Sequence, residues 1–146
     1  MPLASYSYNS ATAALTPVLD GLPPVVIALD GRPGSGKTTF GRYLAWHFNI
    51  TLVETDLFLE RHQGFKYRWK DLAQVVSARL AGERPVIVEG VAVGWILREL
   101  ELAAAFTVYC ANNGPSSGNS PLSHVESYES SFAPRERANL VIELSH

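Results

Sequence analysis

The order of patterns along the chain predicts an α/β fold of three layers, with helices on both faces of a mostly parallel sheet of about five strands. Three observations lead there. Short continuous apolar runs recur, as strands covered on both faces require. Between them lie segments with apolar residues at helical spacing. A glycine-rich stretch joins the first such strand to the first such helix.

The residues before the first strand are read as an extension, 1–22, and the rest, 23–146, as one domain. The extension is rich in Ser, Ala and Tyr and carries Pro17, with Asp20-Gly21 ahead of Pro23-Pro24. It is read either as a surface helix from about Ser10 to Leu19 or as disordered chain. Val25 to Leu29 is the first buried strand, and it ends at Asp30-Gly31. Phe40, Leu44 and Phe48 mark the first core helix, and Ile50 to Val53 the second strand. Leu72, Val75, Val76 and Leu80 form the apolar stripe of the next helix, which stops near Gly82, and Pro85 to Val88 is the third strand. Trp95 to Ala104 reads as a helix and Phe106 to Cys110 as the fourth strand. The polar stretch Asn112 to Ser120 reads as a mobile loop. Leu122, Val125, Tyr128 and Phe132 mark a last helix, with Ser123 and Glu126 spaced as a capping box, and Asn139 to Leu144 closes the sheet.

A chain of 146 residues, 47% apolar and 18% charged, is long enough for one core. The net charge of -2 gives no electrostatic footing for nucleic acid. No apolar run approaches the roughly 20 residues that span a bilayer, and the N-terminus lacks the charged and apolar regions of a secretory leader. The single cysteine, Cys110, has no partner for an internal disulfide, which fits a reducing compartment, so a cytoplasmic location without membrane partners is expected. A homo-oligomer is compatible with all of this.

The glycine-rich stretch is Gly31-Arg32-Pro33-Gly34-Ser35-Gly36-Lys37-Thr38, followed by Thr39. Glycines at this spacing let backbone N–H groups turn inward around a phosphate, and the following helix aims its positive end at the same place. Lys37 can then reach the β- and γ-phosphates, the Thr38 hydroxyl can ligate Mg²⁺, and Thr39 can add an α-phosphate contact. A strand before and a helix after the motif set it apart from a chance match and make it a P-loop, with ATP or another nucleoside triphosphate and Mg²⁺ as the expected ligands.

In an open parallel sheet all strands end on one edge, so Asp56 after the second strand and Glu89 after the third are expected to converge on this loop. Asp56 can take a proton from an acceptor hydroxyl or hold the metal through water, and Glu89 is an acid whose burial is costly unless it is paired or near a metal. Strand alternation predicts that Glu54 points away. Arg61, His62, Lys66, Tyr67, Arg68 and Trp69 form a basic and aromatic cluster just beyond Asp56. Arg61, Tyr67 and Arg68 are the residues by which it would clamp an acceptor; the other reading is a solvated loop with an aromatic packed beneath it. His47 and His124 read as surface or helix-edge histidines, neither with metal-ligand spacing.

Three segments together resemble the uridine kinase family of P-loop nucleoside and metabolite kinases: Asp30 to Thr39, Thr55-Asp56-Leu57-Phe58, and Val86 to Val91. A fourth, Tyr128 to Ile142, is similar to that family's closing stretch. The resemblance implies transfer of the γ-phosphoryl group of ATP to a hydroxyl of a nucleoside or similar metabolite, with Asp56 matching the acidic residue on the acceptor side; Lys37, Asp56 and Glu89 are the expected catalytic residues. It also implies an arginine-rich lid after the fourth strand. No Lys or Arg lies between Arg98 and Arg135, and the neutral stretch Asn112 to Ser120 stands there instead. Since an arginine acting on the transition state can be worth about 10³ to 10⁵ in rate, Arg32, Arg61, Arg98, Arg135 and Arg137 become the candidates to replace the lid. The family also continues past its last strand into a loop that helps hold the adenine base, so base preference is not readable here. A non-catalytic nucleotide-binding regulator, or a small ATPase activated by a partner's arginine, are the competing expectations.

Overall fold

The computed structural model describes residues 6–60, 66–112 and 122–144. In chain order the elements are α1 (Tyr6–Leu15), β1 (Val26–Asp30), α2 (Lys37–Phe48), β2 (Thr51–Glu54), a 3₁₀ turn (Thr55–Phe58), α3 (Trp69–Ala81), β3 (Val86–Glu89), α4 (Val93–Glu99), β4 (Ala104–Asn112), α5 (Leu122–Phe132), α6 (Pro134–Arg137) and β5 (Leu140–Leu144). The five strands lie in the order β2-β3-β1-β4-β5 and all four pairings are parallel. This is the α/β, three-layer, parallel five-stranded arrangement that the apolar runs imply.

Burial follows position in the sheet. β1 and β3 are interior strands, and every one of their residues is buried, which is why they read as unbroken apolar runs. β5 is an edge strand, and burial alternates along most of it. Successive β1 side chains go to opposite faces. Ile27 and Leu29 pack with Phe40 and Leu44 of α2 and with Ala11 and Leu15 of α1. Val26 and Ala28 pack with Leu72 and Val76 of α3 and with Val93, Ile96 and Leu97 of α4. β1 is followed by α2 on one face and β3 by α4 on the other, so these adjacent strands pass the chain to opposite faces at their carboxyl ends. This is the place where open parallel sheets bind their ligands.

Several boundaries differ from expectation, each for a physical reason. α1 ends at Leu15 rather than running from Ser10 to Leu19, because Pro17 disfavours helical backbone at the residue before it. Its inner face is fully buried in the core, and Ser7 Oγ donates 2.6 Å to the carbonyl of Glu143 in β5. Residues set apart as an extension thus supply part of the packing. α4 begins at Val93 and stops at Glu99, short of Ala104, with Glu101 in the left-handed region at φ 57°. The alanines beyond it favour helix locally, yet Ala104 is taken into β4 by pairing with Val26 of β1. Val75 is 40% exposed and is not part of the α3 stripe, whose buried members are Leu72 and Val76. Residues 113–120 of the expected mobile loop and the side chain of Ser123, needed for the capping box, lie outside what is described.

Leu15 has no exposed surface and sits among Ile27, Leu44 and Ile142. Leu15→Ala is expected to lower unfolding free energy by about 2–5 kcal/mol, a lost transfer term plus a cavity. Urea unfolding checks this; a change within about 0.5 kcal/mol, the range usual for surface positions, would mean the core does not need α1.

Candidate functional site

The site is built where β1 stops. Gly31, Gly34 and Gly36 take φ values of 156°, 77° and 90°, conformations that side-chain-bearing residues rarely adopt. Gly31 has a second constraint: a Cβ there would stand 2.6 Å from the backbone oxygen of Cys110 on β4. The loop therefore hugs the sheet and delivers Gly36 as the N-cap of α2, so the positive end of that helix faces the loop.

Lys37 is the first residue of α2, is 5% exposed, and donates from Nζ to the carbonyl of Arg32 at 3.1 Å. Burial pushes its ammonium below the ordinary lysine range, opposed chiefly by the charge of Glu89. Glu89, at the end of β3, is 3% exposed. Its Oε1 accepts from the Thr38 hydroxyl at 2.8 Å, and its buried Oε2 has no hydrogen-bond partner among the described residues. Burial pushes this carboxyl upward, opposed by Lys37 and by the Thr38 hydrogen bond. Both directions say the same thing: the cradle holds charges at a solvation cost, which an anion over Lys37 and a cation beside Glu89 would offset.

Carboxylate oxygens of Glu54, Asp56 and Glu89 lie within 4.8 Å of one another. The expectation that Glu54 points away is corrected here. Glu54 and Glu89 are in-register partners of the parallel β2–β3 pair, and register partners share a face. Arg42 of α2 holds Glu54 by two contacts of 3.1 Å. Asp56 lies in the exposed part of the 3₁₀ turn. Thr38, Glu54, Asp56 and Glu89 are thus the donors that could hold a divalent cation. The unpartnered Oε2 of Glu89 is the observation that fits one.

The basic and aromatic cluster is partly structural. Tyr67 is 6% exposed and packs in the second core cluster beside Trp69, at 5.2 Å between ring centroids. Arg68 donates to the carbonyl of Leu57 at 2.8 Å and lies over Phe58. Arg61 and His62 fall outside the described residues. Ser35 is buried in the loop and Thr39 is exposed on α2. His47 is exposed and stacks on Tyr43, and His124 meets Trp95 edge-on.

Two contacts at the cradle were not foreseen. Asp30, 2% exposed, accepts from the Gly31 amide at 2.9 Å and from the Tyr128 hydroxyl, which itself accepts from the Gly94 amide at 3.1 Å. Arg32 makes a two-pronged pair with Glu129 at 2.7 and 2.8 Å. Both tie α5 to the loop. Tyr128 and Glu129 belong to a segment the sequence singled out, but nothing local pairs them with residues about a hundred positions earlier. Among the other candidate arginines, Arg135 pairs with Glu143 at 3.3 Å, while Arg98 and Arg137 stack on Phe132 at 5.3 and 4.6 Å.

Comparison with known proteins bears on this geometry. The shikimate kinase family model matches residues 33–76, which run from the loop through Asp56 into α3. A shikimate kinase of Corynebacterium diphtheriae is 49% identical over 39 residues, 27% of this chain and 22% of that protein. A cytidylate kinase of Pyrobaculum islandicum is 38% identical over a match covering 51% of this chain and 48% of its own length. The chain spans less than half the length of these curated relatives. A possible uridine kinase from Bacillus stearothermophilus superposes with a TM-score of 0.64 at 17% identity, over 92% of this chain and 98% of that one. The two chains share one fold. A shikimate kinase from Acinetobacter baumannii in complex with shikimate agrees, with a TM-score of 0.51 at 22% identity over 90% and 88% of the two chains. The predicted three-layer fold is thus shared with these structures, and the sequence matches are spread over several kinases rather than one.

Burial pushes the Asp30 carboxyl up to about 6, above the roughly 3.9 of an unfolded aspartate. Between these values the folded state holds the extra proton. The stability this group confers is therefore full below about pH 4 and is lost as pH rises through 6, a change of order 3 kcal/mol. The difference in unfolding free energy between wild type and Asp30→Asn should shift by that order between pH 4 and 7, in the sense that the variant gains at neutral pH. Urea unfolding of both proteins across that range decides it; a pH-independent difference would rule out the raised carboxyl.

Proposed function

We propose that this chain is a small-molecule kinase that transfers the γ-phosphoryl group of ATP to a hydroxyl of a nucleoside or similar metabolite. The observation that carries this reading is the meeting of three things on one sheet edge: a buried Lys37 inside a glycine loop, the Thr38–Glu89 pair, and the carboxylate of Asp56. A turn that only linked strand to helix would have no reason to bury a lysine and an acid together, since each costs several kcal/mol to desolvate. The names of the matched relatives, shikimate kinase and cytidylate kinase, support phosphoryl transfer as the reaction class.

In this mechanism the backbone amides from Gly31 through Thr39, including those of Arg32, Ser35 and Gly36, wrap the phosphates, and Lys37 exchanges the Arg32 carbonyl for phosphate oxygens. Asp56, exposed at the same sheet edge, accepts the proton of the attacking hydroxyl. Glu89 orients the Thr38 hydroxyl. A magnesium ion, when bound by Thr38 and Glu89, would neutralise charge developing on the transferred group. Arg61 and Arg68 are the basic residues assigned to the acceptor, with Tyr67 as their aromatic neighbour in sequence.

A second reading, a nucleotide-binding module that is inactive alone or activated by a partner, is favoured by one observation. Arg32, the arginine within the loop itself, is held by Glu129 and so is not free to serve as the charge-stabilising group that transfer needs.

Titration calorimetry with Mg²⁺-ATP and a transfer screen over hydroxyl-bearing nucleosides and ring acids separate the two. Lys37→Ala is expected to abolish nucleotide binding. Asp56→Asn should leave the nucleotide Kd within about twofold while lowering transfer by about 10² to 10⁴. Binding without transfer to any acceptor would establish the second reading, and absence of binding in the wild type would end both.

A further inference from the structure

A cavity of about 550 Å³ lies on the face of the sheet covered by α4; Asp30 lines it beside the glycine loop, but none of Lys37, Thr38, Asp56 or Glu89 does. It exists because the residues along its floor are small. Val26 pairs with Ala104 and Ala28 with Thr107 in the β1–β4 ladder, and Ala28, Ala104 and Thr107 all line the space. Val93, Leu97 and Leu102 form its apolar wall. Protein interiors ordinarily fill such room with side chains, and the volume falls within the range of small-molecule sites.

The two ends differ in chemistry. At the inner end, Asp30 has both oxygens engaged, one by the Gly31 amide and one by the Tyr128 hydroxyl, so it does not call for a cation. At the outer end, the exposed Arg98 and Arg137 stack on the same ring, Phe132, from α4 and α6. Neither has a carboxylate partner among the described residues. A guanidinium laid on an aromatic face keeps its N–H edge available, in the planar fork that grips carboxylate, sulfonate or phosphate oxygens.

We infer that this cavity is a second ligand site, for a small organic anion whose apolar body lies against Leu97 and Leu102 and whose charged group is held by Arg98 and Arg137. The site is separate from the proposed phosphoryl transfer and does not depend on it. Through Asp30 it does adjoin the first glycine of the nucleotide loop.

The probe is 1-anilinonaphthalene-8-sulfonate, an apolar ring system with one sulfonate, titrated into the full chain and followed by fluorescence. Saturable binding with one site is expected. Ala103→Trp places a large ring at the exposed mouth and should weaken binding at least tenfold, whereas Lys37→Ala should leave it unchanged. The paired exposed changes Arg98→Gln and Arg137→Gln should weaken the sulfonate at least tenfold but leave the uncharged N-phenyl-1-naphthylamine within twofold, a contrast that general unfolding would not give. Methyl NMR should show the probe shifting Val93, Leu97 and Leu102. Binding that ignores Ala103→Trp and the arginine pair, or that is lost in Lys37→Ala, would overturn the assignment.

Discussion

Three ionisable side chains, Asp30, Lys37 and Glu89, are almost wholly withdrawn from water where β1 and β3 end, and the surrounding architecture is arranged around holding them there. Each alone would cost several kcal/mol to bury. Together they are balanced by the Thr38 hydroxyl on Glu89, the Arg32 carbonyl on Lys37, and the Gly31 amide and Tyr128 hydroxyl on Asp30. Placement at the point where adjacent strands pass the chain to opposite faces is what allows this. In an open parallel sheet this is the edge where ligands bind, so charges held there stand next to the place a ligand would occupy.

The same charges reach outward into the fold. Tyr128 ties Asp30 to the start of α4, and Glu129, the next residue of α5, grips Arg32 in the loop. α5 is therefore fastened to the phosphate loop by two contacts on adjacent residues. A hydroxyl bonded to a buried carboxylate and a two-pronged arginine pair are both stronger than neutral hydrogen bonds. The cavity under α4 shares this route, since Asp30 is at once its inner end and the last residue before the loop.

Much of the fold was legible because its signals are local. Unbroken apolar runs mark interior strands, and β1 and β3 are the interior strands with the cleanest runs. The glycine spacing before Lys37 reflects backbone angles that few other residues tolerate. Asp56 and Glu89 were found by a topological rule, that parallel strands end on one edge. That rule fixes an edge but not a register. Glu54 was misplaced for this reason: alternation along one strand says nothing of which neighbour a residue faces, and pairing with Glu89 brought it back. The arginine pairing of Glu129 and the short partner of Tyr128 were illegible, because they span about a hundred residues.

What the sequence by itself determined is the alternation of strand and helix, the phosphate loop and the identity of the acids beyond the strand ends. Those features are written in periods of two and 3.6 residues and in glycines whose backbone angles other residues rarely adopt. Only the tertiary structure decided that α1 joins the core, that Glu54 stands with Asp56 and Glu89, that Asp30 is clasped by Tyr128, and that small residues on β1 and β4 leave a cavity under α4. Each depends on which distant residues meet when the sheet closes, and sequence spacing carries no measure of that.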